Sequence, residues 1–75
     1  MTEAQQQVLT LLAKEWELRG PPGILDISEI VAALSLAPSE TLAALKQLFK
    51  EGLRDMNALK TRVYLTPEGY DASRE

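Results

Sequence analysis

Only four residues, Ser35-Leu36-Ala37-Pro38, separate two stretches of helical period, and that short interval decides most of what this chain can fold into. Before it, Ile27, Ile30, Val31 and Leu34 supply one apolar face. After it, Leu42, Leu45, Leu48 and Phe49 supply another. Two helices joined by so short a link must stay neighbours, as in a helix-turn-helix. Asp26 is a suitable N-cap for the first of them, with Glu29 at the capping-box position. Pro38 suits the first turn of the second, where its missing N–H is not needed. Gly52 stands where a C-terminal cap is wanted. The pattern predicts helices over 27–35 and 39–51.

An earlier helix is predicted over 2–19. Leu9, Leu12 and Trp16 share one face, Thr2 and Gln5 form a capping pair, and Gly20 followed by Pro21 and Pro22 ends the element. Trp16, in line with two leucines, reads as core. Ile24 and Leu25 read as a very short strand or an apolar plug. After Gly52 the period changes from helix to strand. Val63 and Leu65 alternate with Arg62 and Tyr64, and Leu53 to Met56 is the expected partner strand across a glycine-free loop at 57–61. Tyr64 should point away from Val63 and Leu65, toward solvent or over Tyr70. Thr66-Pro67-Glu68 reads as a cap and a final helical turn. The 75 residues make a single domain with a thin core, mainly α with a small β-hairpin.

Composition removes several kinds of chemistry. With no Cys and no His, thiol nucleophiles, Ser–His triads, disulfides and thiolate or imidazole metal sites cannot be built. The four glycines are too dispersed to cradle a phosphate. The carboxylates read as helix caps or solvated faces. The expectation is a binding protein, not an enzyme, with no catalytic residue, metal or cofactor. MTEAQQQVLT has no basic segment followed by an apolar one, and no apolar run reaches the roughly 18–20 residues that span a bilayer. A cytoplasmic location without a membrane partner is therefore expected, and the lack of cysteine suits a reducing compartment.

The net charge is −3, but it is unevenly spread. Lys14 and Arg19 stand against Glu3, Glu15, Glu17, Asp26 and Glu29 in residues 1–37. Arg74 stands against Glu68, Asp71 and Glu75 at the end. Between them, Lys46, Lys50, Arg54, Lys60 and Arg62 outnumber Glu40, Glu51 and Asp55, leaving residues 38–62 at +2.

The stretch LDISEIVAALSLAPSETLAALKQLFKEGL resembles the helix-turn-helix of winged-helix transcriptional regulators, and VYLTPEGY resembles their second wing strand and exit turn. The resemblance covers most of the chain from Leu25 to Tyr70. It implies a winged helix-turn-helix: a three-helix core closed by a two- or three-stranded wing at 53–66, with Leu42, Leu45, Leu48 and Leu53 buried. It also implies that the helix at 39–51 enters the major groove of double-stranded DNA while the wing touches the backbone. With Leu45 at the centre of the buried face, the outward residues would be Ser39, Glu40, Ala43, Gln47 and Lys50, flanked by Ala44, Lys46 and Glu51. Wing cations would be Arg54, Lys60 and Arg62. On the bare residues the cations read equally well as solvated edge-strand charge.

A second apolar seam on the first helix, Ala4, Val8, Leu11 and Leu18, is expected either to be covered within the chain or to form a homodimer interface through Val8, Leu11 and Leu18. Two function classes follow. One is a DNA-binding transcriptional regulator. The other is a non-enzymatic protein-interaction or dimerisation module on the same scaffold. The helix-turn-helix pattern and the +2 of residues 38–62 favour the former, which is the leading expectation; the acidic total, the few hydrogen-bonding groups on the third helix and the spare apolar seam favour the latter.

Overall fold

The computed structural model of the chain describes residues 1–59 and 61–74. Helix α1 runs Glu3–Arg19. The Thr2 hydroxyl accepts from the Gln5 N–H at 3.1 Å and the Thr2 N–H donates to Gln5 Oε1 at 2.8 Å, so the expected capping box forms. Helix α2 (Ile27–Ala33) is two residues shorter than the sequence pattern suggests and starts with the Asp26 N–H donating to Glu29 Oε1. Helix α3 (Pro38–Lys50) has Pro38 in its first turn. A final helix, α4 (Pro67–Ser73), extends the expected exit turn.

The short Leu25 segment is a strand. β1 (Leu25–Asp26), β2 (Arg54–Met56) and β3 (Arg62–Leu65) form an antiparallel sheet in the order β1-β3-β2. Leu25 pairs with Val63, which pairs with Met56, and Leu65 pairs with Arg54. These five side chains therefore share one face of the sheet, while Asp26, Arg62, Tyr64 and Asp55 share the other. The hairpin loop is organised by Asn57, whose Oδ1 accepts from the Thr61 and Arg62 N–H groups at 3.0 Å each. That side-chain bonding replaces the glycine of a tight turn.

The core is aliphatic. Val8, Leu9 and Leu12 from α1, Ile30 from α2, Leu45 and Leu48 from α3, and Val63 and Leu65 from β3 lose essentially all solvent contact. Helix α1 is central, packing on α3, α4 and β3. Its junction with the connector is close: Gly23, at φ 68°, leaves no room for a Cβ against the Leu12 carbonyl and the Trp16 N–H. Trp16 is half-buried and stacks on Tyr70 of α4, with ring centroids 4.7 Å apart and planes 13° apart. Tyr70 is thus covered by α1, not by Tyr64.

The second seam of α1 is mostly covered within the chain. Val8 is fully buried, and Ala4 and Leu11 are half-buried against the core. Val8 is therefore corrected from interface residue to core residue, because it presents no surface to a second chain. Leu18 alone of the proposed dimer residues is well exposed, at 75%.

Candidate nucleic-acid interface

Helix α3 is turned about its axis relative to the expectation. Its buried residues are Thr41, Ala44, Leu45 and Leu48, whereas Leu42 and Phe49 are 50% and 47% exposed. At about 100° per residue, the centre of the buried arc lies about 50° from Leu45. The reason is close packing on α1. Helix α3 packs on α1, and small side chains such as Thr41 and Ala44 suit a close approach of two helices better than the bulkier Leu42 and Phe49, which lie at the border.

This rotation sorts the exposed residues into three arcs. The outward arc carries Ser39, Ala43, Lys46 and Lys50, all exposed. One border carries Glu40, Gln47 and Glu51, which line an open groove against Met1 to Gln5 at the start of α1. Gln47 Nε2 donates to Glu51 Oε2 at 3.0 Å, and Glu40 Oε1 accepts from the Ala37 N–H at 3.4 Å. Glu40 thereby closes the helix start and Gln47 is held by its own helix. The other border carries Leu42 and Phe49.

The largest correction concerns Arg54. It was expected on the wing surface, but it is 5% exposed. Its register opposite Leu65 turns it inward, under α3. Nε donates to the Leu45 carbonyl at 2.7 Å, and the guanidinium carbon lies 5.0 Å from the centroid of the Phe49 ring. Nη1 has neither accessible surface nor a hydrogen-bond partner. Burial lowers the guanidinium pKa from its ordinary value, and the neighbouring Asp55 carboxylate acts in the opposite direction. Arg54 thus fastens β2 to the middle of α3 and cannot reach a phosphate.

Of the remaining wing cations, Arg62 is exposed and pairs with Asp26 across β1 and β3, Nε to Oδ1 at 3.1 Å. Lys60 lies outside the described residues. Lys46 and Lys50 make no ion pair among the described residues. Among the described residues the site reduces to an outward row on α3 with two unengaged lysines, and one partly engaged arginine on the outer face of the central strand β3.

Sequence reasoning missed two contributors, Thr41 as a buried helix-contact residue and Arg54 as an internal tie. Parity along the hairpin carried a signal for the second. Once Arg54 is paired with Leu65, it must face the same way as that buried leucine. Among the described residues there is no cluster of three or more potential metal ligands, and no helix is long and apolar enough to cross a membrane. No family model, curated protein or solved structure matches this chain.

Proposed function

We propose that this chain is a winged helix-turn-helix domain that binds double-stranded DNA through the outward row of α3, in the manner of a small transcriptional regulator. The element order, with β1 between α1 and α2 and a β2–β3 hairpin after α3, supports that reading, as does the sheet order β1-β3-β2. The observation that carries it is the exposure of Ser39, Ala43, Lys46 and Lys50 on one side of a helix anchored by its other side. A helix so presented fits the width of a major groove, with the serine hydroxyl able to hydrogen-bond, the alanine able to touch a thymine methyl, and both lysines able to meet phosphates. Arg62 and Lys60 are the further cations assigned to the backbone in this reading.

So few cations imply weak, salt-sensitive binding. Two to four phosphate contacts give a slope of about −2 to −4 in log K against log salt. Fluorescence anisotropy with a labelled duplex, run across a salt series, tests this. The expected result is binding at low salt that falls with that slope and is lost in a Lys46→Glu/Lys50→Glu variant that melts like the parent. Salt-independent binding, or binding unaffected by the double substitution, would refute the assignment.

A second reading, a protein-interaction module without DNA binding, is favoured by the half-exposed Leu42 and Phe49 and by the net charge of −3. In either reading the chain works by binding and not by catalysis, consistent with a sequence lacking His and Cys.

A further inference from the structure

Leu42 and Phe49 stand seven residues apart on α3 with Lys46 between them, so the three form a continuous row along one border of the helix. Both apolar side chains are about half exposed. Phe49 is not loose on the surface, because its ring lies over the Arg54 guanidinium. Beneath it, Arg54 keeps one nitrogen without any acceptor. Lys46 and Lys50 run alongside, unpaired among the described residues.

The nearby anions are directed elsewhere. Glu40 and Glu51 sit on the opposite border and are occupied by the Ala37 N–H and by Gln47. Asp55 belongs to the outer face of the sheet and accepts from the Met56 N–H at 2.8 Å. A chain that is acidic overall thus shows, on this border, an apolar row flanked by the unpaired Lys46 and Lys50, with the Asp55 carboxylate acting on Arg54 beneath it. The row demands an occupant that is both anionic and apolar.

We propose that this border of α3 docks an acidic amphipathic helix of a partner protein. Apolar side chains two turns apart would cover Leu42 and Phe49, and carboxylates beside them would meet Lys46 and Lys50. Duplex DNA meets the charge requirement but not the apolar one, since its interfaces are markedly polar and a phosphate backbone cannot cover a leucine and a phenylalanine. An apolar helix without carboxylates meets only the other half. A groove-bound amphipathic helix supplies both. Docking there covers Lys46 and Lys50, so the acidic helix and DNA exclude one another. The proposal does not require that DNA bind at all.

The test is an NMR titration of the full chain with a blocked peptide of about 16 residues, long enough to form a helix. The peptide carries Leu or Phe at i, i+3, i+4 and i+7, Glu only at the positions beside them and Ala elsewhere, and it is compared with a version in which every Glu is Gln, both checked for equal helicity by circular dichroism. Expected are saturable shifts at Leu42, Lys46, Phe49 and Lys50, an affinity about tenfold lower for the Gln peptide, and a loss of about tenfold or more in a Leu42→Glu variant. Leu42 is half exposed, so a thermal melt matching the parent shows that this variant is folded. Saturation absent up to about 1 mM, shifts confined to another face, or equal binding by Leu42→Glu would overturn the proposal.

A parallel titration with a short duplex separates this proposal from the DNA reading. Peptide binding without duplex binding sinks only the DNA reading. Duplex binding without peptide binding sinks only the docking proposal. If Leu42→Ser weakens duplex binding, the apolar row belongs to the nucleic-acid face and the docking proposal fails.

Discussion

Truncating the α3 leucines one at a time measures which side of that helix is free. Leu48 has no solvent exposure, and Leu42 has half of its surface in water. Leu48→Ala removes three methylene-sized groups from the core, worth about 2.4 kcal/mol at about 0.8 kcal/mol each. The space left between α1, α3 and the sheet fills only in part, which raises the expected cost to about 3–4 kcal/mol. A domain of this size has roughly 4–11 kcal/mol to lose. The substitution should therefore lower the melting temperature by about 12–30 °C. Leu42→Ala gives up about half of the transfer term and leaves no void, because water occupies the space, and alanine's better helix propensity returns about 0.2 kcal/mol. Its expected cost is under about 1 kcal/mol, a fall of less than about 8 °C. Urea unfolding monitored by the fluorescence of Trp16, with unchanged m-values, gives both numbers. Comparable losses from the two substitutions would refute the orientation of α3, and with it the assignment of its outward row.

Two further predictions concern the supports of that helix. Arg54→Ala should cost about 2–3 kcal/mol, since it removes a buried stem along with the bond to the Leu45 carbonyl, whereas Arg54→Met, which keeps the stem and discards an unsatisfied buried charge, should cost at least about 1 kcal/mol less. Thermal melts decide it, and a Met variant as unstable as the Ala variant would mean that the guanidinium bond outweighs the burial of its charge. Gly69 is buried in α4, where a Cβ would run into the Leu53 carbonyl. Gly69→Ala should consequently destabilise the domain by about 1–3 kcal/mol, despite alanine's better helix propensity; a variant as stable as the parent would show that α4 does not sit against Leu53.

The elements themselves were legible in the sequence. Thr2, Asp26, Pro38 and Gly52 marked ends that the structure places within a residue or two, and the alternation at Val63 and Leu65 identified the strand that pairs on both of its edges. The orientation of α3 was not legible, because hydrophobicity ranks Leu42 and Phe49 above Thr41 and Ala44. Close approach of α1 selects for small size instead, a property that appears only when the neighbouring helix is in place. The inward position of Arg54 is hidden from the sequence for a related reason. Its charge argues for the surface, and its inward position follows from a pairing register that the residue itself does not encode. Val8 illustrates a third limit: one helix of a small domain can be buried over more than one seam, here because α3, α4 and β3 all pack on α1.

Under the proposed function, the outward row of α3 is the surface that meets double-stranded DNA. A titration of isotope-labelled protein with a short DNA duplex, followed by amide shifts at low and then raised salt, tests it most directly. Ser39, Ala43, Lys46 and Lys50 should move, Val8, Leu12 and Ile30 should stay still, and the movement should fade as salt rises. Shifts centred on α1 or α4 with α3 unmoved, or no shift anywhere at low salt, would contradict it.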